Sequence, residues 1–187
     1  MENIKEIKWQ STWSYTYQLI ETLKALDAEV VESIIELFIT TRALGGRVFT
    51  FGNGGSAATA IHFANDLNKL PGINRSIEAH SLTNLALLTA FANDVSYDAI
   101  FYEQLKLFAK DGDIAFGISC SGTSGNVIRG LGHAKNSLGM STVLLTGDKL
   151  SSLADMTLYV PNDDIRIQED VHLAVCHMIA GELRDRP

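Results

Sequence analysis

The chain has 187 residues, 46% of them hydrophobic and 20% charged, with a formal net charge of −7. That length fits one domain, residues 1–187, with a sizeable core, and the acidic balance argues against direct nucleic-acid binding, which favours basic surfaces. Cys120 and Cys176 make no disulfide framework, the first residues lack an apolar leader and no apolar run of about 18 residues is present, so a cytoplasmic protein without a membrane span is expected.

Residues 4–26 are expected to be helical, because Ile4, Ile7, Trp13, Tyr17, Ile20 and Leu23 recur near a 3.6-residue period. Trp9, Trp13, Tyr15 and Tyr17 read as helix packing, with a subunit contact as the other reading. A second amphipathic helix is expected over 28–43, ended by Gly45-Gly46. A strand at 47–51 leads into a helix at 55–69, which Pro71-Gly72 breaks. Residues 75–80 read as a short strand, and 82–92 and 97–109 as helices. Then come a strand at 113–118, a helix at 124–138 capped by Gly139, a strand at 141–146, a short helix near 149–154 and a strand at 156–160. Asp163 or Asp164 can cap a last helix that reaches about Arg184. Strands alternating with helices imply an α/β fold, a parallel sheet with helices on both faces.

Two loops stand out. Gly52-Asn53-Gly54-Gly55-Ser56 and Ser119-Cys120-Ser121-Gly122-Thr123-Ser124 each follow an apolar strand and open a helix. Glycine admits a ligand close to the backbone, and free N–H groups at a helix N-terminus suit a phosphate. Either loop alone is also compatible with an ordinary strand-to-helix turn. Their shared position, at the carboxyl ends of parallel strands, is where such sheets bind ligands. Neither is a dinucleotide or Walker-type fingerprint.

His62 and Asp66 are four residues apart and share a helix face, so they can hold a metal, form an acid–base pair, or simply hydrogen-bond at the surface. The last helix carries Gln168, Glu169, Asp170, His172 and His177. Glu169 and His177 are eight residues apart, about 80° around the helix and roughly 12 Å along it. A second copy of this helix would ease their convergence on one ion. His80 reads as a cleft or turn residue, and His133 as a half-buried surface group. Asn93-Asp94, between two helices, can cap the second or reach a sugar hydroxyl.

Several of these segments in fixed order resemble one family. They are Gly52 to Ser56, His62-Phe63-Ala64, Asn93-Asp94, Gly117 to Ser124, Asn126-Val127-Ile128, Leu145-Thr146-Gly147, Val160 to Asp164 and the histidine-bearing last helix. The sequence is similar to the sugar isomerase (SIS) domain and, within it, to the phosphoheptose isomerase branch. The resemblance implies a three-layer, flavodoxin-like sheet of five parallel strands, with residues 1–44 as a helical hairpin that packs on the core and in a homotetramer. It implies active sites between subunits, a zinc ion, and conversion of sedoheptulose 7-phosphate, a phosphorylated seven-carbon sugar, to an aldose through an enediol.

By position, Asn53, Gly54, Gly55, Ser56, Asn93, Asp94, Ser119, Cys120, Ser121, Thr123, Ser124 and Glu169 would bind substrate. His62, Asp66, Glu169 and His177 would hold the metal, and Asp66 and His177 would be the acid–base pair. Asp66 stands where the family has glutamate. Glu169 stands where it has glutamine, unless Gln168 serves after a one-residue shift. The same branch includes non-catalytic relatives that bind the replication initiator, and a protein that senses a phosphosugar without turnover is a third reading.

Overall fold

Short β-branched and aromatic runs supply the strands β1 (Val48–Gly52), β2 (Ala79–Ser81), β3 (Ile114–Ser119), β4 (Ser141–Thr146) and β5 (Met156–Tyr159). They pair in parallel in the order β2-β1-β3-β4-β5. The computed structural model describes residues 2–70, 72, 75–148 and 153–186, with side chains from residue 13 onward. The helices are α1 (Glu2–Lys24), α2 (Ala28–Ala43), α3 (Gly55–Lys69), α4 (Leu85–Asp94), α5 (Ile100–Phe108), α6 (Gly125–Leu138) and α7 (Ile165–Asp185). Most of the expected elements fall within a few residues of these bounds. The short helix expected near 149–154 lies largely outside the described residues, as does the Trp9 side chain.

The strand at 75–80 is the clearest revision. The Arg75 and Ser76 N–H groups turn back to the Gly72 carbonyl, and the Ile77 N–H goes to Leu67. Only 79–81 is left to pair with β1. The helix expected over 97–109 begins as a 3-10 turn, Tyr97–Ala99, before α5. Asp164, not Asp163, caps α7, its carboxylate accepting from the Arg166 N–H.

Side chains alternate across a strand, and this sorts the core into two layers. Ile114, Phe116 and Ile118 face α2, α3 and α7, with Phe38, Phe63 and Val171 packed there. Ala115, Phe49 and Phe51 face the other way, onto Phe101, Val127 and Leu131 of α5 and α6. The sheet is therefore the middle of three layers. The open edge of β2 is closed by one amide: Asn68 Nδ2 donates to the Ala79 carbonyl at 2.8 Å, and the Ala79 N–H donates to Asn68 Oδ1 at 3.2 Å. Such a side chain takes the place of a further strand and blunts an edge that otherwise invites pairing.

The aromatic stripe of α1 divides. Tyr15 docks on α7, donating to Asp170 Oδ2 at 2.5 Å and to the Arg166 carbonyl at 3.3 Å. The bond to Asp170 pushes its hydroxyl pKa up to about 12. Trp13 and Tyr17 are 64% and 66% exposed in the chain.

At the far end of β1 and β3, Asp113 is fully buried. It accepts from the Arg47 and Lys110 backbone N–H groups, each at 2.9 Å, and from Arg47 Nη2 at 2.8 Å. Removing the carboxylate strands these donors, so Asp113→Ala should cost about 3 kcal/mol. Glu21→Ala, which deletes the exposed pair with Lys24, should cost less than about 0.5 kcal/mol. Urea midpoints of the two variants measure this, and equal losses would refute the assignment.

Candidate active site

The parallel register sets both loops side by side at the carboxyl ends of β1 and β3. Gly54 caps α3 with φ 55, a backbone that favours glycine, and contributes no side-chain cap. Ser124 caps α6, also without a side-chain bond to the helix. Its hydroxyl instead meets Ser119 Oγ at 3.2 Å, and Ser121 Oγ lies 3.4 Å from the same Ser119 hydroxyl. Two helix N-termini without side-chain caps and a cluster of hydroxyls border a cavity of ≈ 290 Å³. Asn53, Gly54, Gly55, Ser56, Ser119, Cys120, Ser121, Ser124 and Glu169 line it. Among the described residues no lysine or arginine does, and the helix dipoles and N–H groups offer attraction for an anion.

Thr123 borders this loop, its hydroxyl and its backbone N–H both directed at Ser121 Oγ. Burial, then the Glu169 charge, pushes the Cys120 thiol up from its usual pKa. It is a small neutral wall, not a thiolate. Asn93 and Asp94 bond to each other on the exposed end of α4 and do not line the cavity.

About two helical turns along α3 lies a second cluster. Asp66 is 5% exposed. His62 Nε2 stands 3.3 Å from its Oδ2, His177 Nε2 3.4 Å from it, and the two ring nitrogens are 3.3 Å apart. Asp66 Oδ2 accepts no hydrogen bond among the described residues. Three ligand atoms form this near-equilateral triangle, and such a group can hold a metal ion. Tetrahedral ligands at about 2.0–2.1 Å from zinc are separated by about 3.3–3.4 Å. Both the spacing and the donor set of two imidazoles and a carboxylate match, with a fourth position left for water or substrate.

The fourth residue expected in that set is elsewhere. Glu169 lies over the first loop, where its carboxylate occupies the space a Cβ at Gly55 would take. Gln168 is buried and donates to the Asn162 carbonyl at 2.6 Å, so it joins neither cluster. His80 lines a separate cavity of ≈ 360 Å³ along β2. The Arg47 side chain in that cavity is committed to Asp113 and to the Phe108 carbonyl. The loop cavity and the His62–Asp66–His177 cluster carry the better chemistry.

Residues 14–147 match the model of the SIS domain. The chain belongs to the SIS domain family. It is 38% identical over 163 residues to the probable phosphoheptose isomerase of Thermoplasma volcanium, covering 84% of this chain and 83% of that one. It is 32% identical over 185 residues to the phosphoheptose isomerase of Thermodesulfovibrio yellowstonii, covering 96% and 92%. A solved phosphoheptose isomerase from Francisella tularensis superposes with a TM-score of 0.87 at 26% identity, over 97% of this chain and 99% of that one. The family and the branch expected from the motifs are thus borne out, and so is the SIS fold with its five-stranded parallel sheet.

Two residues that touch the first loop were given no site role by the sequence reading. Asn126, at the start of α6, and Tyr97, in the 3-10 turn, both bond to Asn53 of the first loop. Asn126 stood among the family motif segments without a role of its own. Nothing in the sequence marks Tyr97.

His172 lies beneath Cys120, 1% exposed, its Nδ1 3.9 Å from the sulfur. Burial pushes its pKa down to about 4 from 6.5. The unfolded chain therefore binds this proton more readily than the folded one. The stability it contributes is complete above about pH 6.5 and is lost as pH falls toward 4, by about 3 kcal/mol in all. Urea titrations of the wild type and His172→Gln should show a stability difference that shrinks over that window. A difference independent of pH would sink the assignment.

Proposed function

We propose that the protein is an aldose–ketose isomerase that converts sedoheptulose 7-phosphate to a heptose 7-phosphate. The observation that carries this reading is the layout of the α3–α7 seam. Hydroxyls and helix N-termini lie at one end, and a buried carboxylate between two histidines at the other. Seven residues separate Gly55 from His62, about 10 Å of helix. That span suits a phosphorylated chain of several carbons better than a triose.

In this reading the phosphate rests on Ser119, Ser121 and Ser124, with Ser56 and the N–H groups of α3 and α6. The far end of the sugar reaches the triad. The buried Asp66 carboxylate takes the proton from C1 of the ketose through its oxygen other than Oδ2. His177, half exposed, handles the proton on the oxygens as O2 is protonated and O1 deprotonated. Return of a proton to C2 completes the aldose. Positioned groups of this kind contribute about 10²–10⁴-fold each. His62, Asp66 and His177 would hold a zinc ion, which when bound polarises the substrate oxygens and stabilises negative charge on them. Glu169 of the same chain lies too far along α7 to join them, so its place is the sugar-binding wall, or the metal of a neighbouring subunit.

We further propose a homotetramer with sites between subunits, in the cytoplasm. The exposed Trp13, Tyr17 and Ile20 of α1 support an assembly, as do Ile61 and Met178 beside the triad, which are 50% and 42% exposed. Two free thiols fit a reducing compartment. No helix among the described residues is long and apolar enough to cross a membrane.

Phosphorus and proton NMR with sedoheptulose 7-phosphate should show an aldose 7-phosphate forming, and a chelator should suppress it. Asp66→Asn and His177→Ala should each lower kcat by at least about 100-fold, and each should abolish the rise in Tm that zinc gives the apoprotein. Full turnover by both variants would refute the acid–base assignment. Phosphosugar binding without turnover would favour a sensor.

A further inference from the structure

The amide of Asn53 is held in one orientation by a chain of bonds that begins outside the cavity. The Val127 N–H donates to Asn126 Oδ1 at 2.9 Å. A backbone N–H can only donate, so this bond fixes which end of the Asn126 amide is oxygen. That oxygen also accepts from Asn53 Nδ2 at 2.8 Å, and Asn126 Nδ2 donates back to Asn53 Oδ1 at 2.9 Å. Tyr97 adds its hydroxyl to the same Asn53 Oδ1 at 3.1 Å. Asn126 is 1% exposed, whereas Tyr97 is 60% exposed.

A carbonyl oxygen has two lone pairs, and an amide nitrogen two N–H donors. Both lone pairs of Asn53 Oδ1 are taken, and one N–H is taken. A single Nδ2–H is left over on a residue that lines the loop cavity. Flipping Asn53 would set its N–H groups against those of Asn126, and flipping both amides together would set the Asn126 N–H groups against the Val127 N–H. Neither is compatible with these contacts.

We infer that Asn126 and Tyr97 are positioning residues that make Asn53 a pure hydrogen-bond donor, so this point of the cavity selects a ligand atom able to accept, a sugar hydroxyl or phosphate oxygen. The inference rests on reading the cavity as the phosphosugar pocket. It adds a polarity that the loop sequence does not carry, because an asparagine amide free to turn presents either sign. It also ties the two loops together, since Asn53 belongs to the first and Asn126 to the helix that follows the second.

The test uses glucitol 6-phosphate, an open-chain polyol phosphate with no carbonyl to isomerise, so binding is read apart from turnover. Calorimetry should give Tyr97→Phe about a 3–10-fold weaker Kd than the wild type, and Asn126→Asp a larger loss. Side-chain amide NMR of the ligand-free protein should show one Asn53 N–H slowed in exchange and one fast. Tyr97 is exposed, so its phenylalanine variant remains a test even if Asn126→Asp does not fold. Wild-type binding that Tyr97→Phe and a folded Asn126→Asp retain unchanged, or two equally fast Asn53 N–H signals, would overturn the inference alone. Absence of wild-type binding would overturn both it and the phosphosugar reading.

Discussion

The whole site depends on α3 and α7 lying side by side and running the same way. Near their starts, Gly55 meets Glu169; about two turns on, His62 and Asp66 meet His177. Parallel packing therefore keeps the carboxylate of Glu169 at the loop end and gathers the triad at the other. A small change in rotation or register between these helices would separate His177 from Asp66, since residues one position apart on a helix point about 100° away from each other. The apolar faces of both helices, with Phe63 and Leu67 on α3 and Val171, Val175 and Ile179 on α7, are fully buried and set that register.

A second constraint is electrostatic. An acidic protein that handles an anion needs local positive potential without a basic surface. Here it comes from two helix N-termini whose caps, Gly54 and Ser124, make no side-chain bond to the helix. The caps of α2, α4 and α7 differ, since Asp27, Asn84 and Asp164 all accept from their own helices, while Ala99, where α5 continues a 3-10 turn, has no side-chain cap either. Leaving a helix start without such a cap costs about 1 kcal/mol, a stability given up where a ligand can use the free N–H groups. The triad makes the same trade, because Asp66 Oδ2 is buried without a hydrogen bond among the described residues. Buried, unsatisfied groups are costly in a folded core, and a bound cation relieves this one.

The alternation of strands and helices, the loops at strand ends and the shared helix face of His62 and Asp66 were legible in the sequence, whereas the strand order was not. Each legible feature is local: a period of two or 3.6, a glycine run, an i, i+4 spacing. The family motifs extended that reading to His177, which sits more than a hundred residues from Asp66. Gln168 and Glu169 show the limit. One residue apart, they point in different directions, one to the Asn162 carbonyl and the other over Gly55. Periodicity does not say which faces the site until the neighbouring helix is placed.

The sequence by itself determined the fold class, the two glycine- and serine-rich loops and the shared helix face of His62 and Asp66, because these follow from short-range pattern and residue chemistry, and the family resemblance added His177. Only the tertiary structure decided which donors converge. It placed Glu169 with the loops and not with the histidines, left Asn93 and Asp94 on the rim of α4, and joined Tyr97 and Asn126 to Asn53. The physical reason is that a metal cluster or an amide network requires atoms within a few ångströms of each other, and that distance is set by how helices pack, not by their separation along the chain.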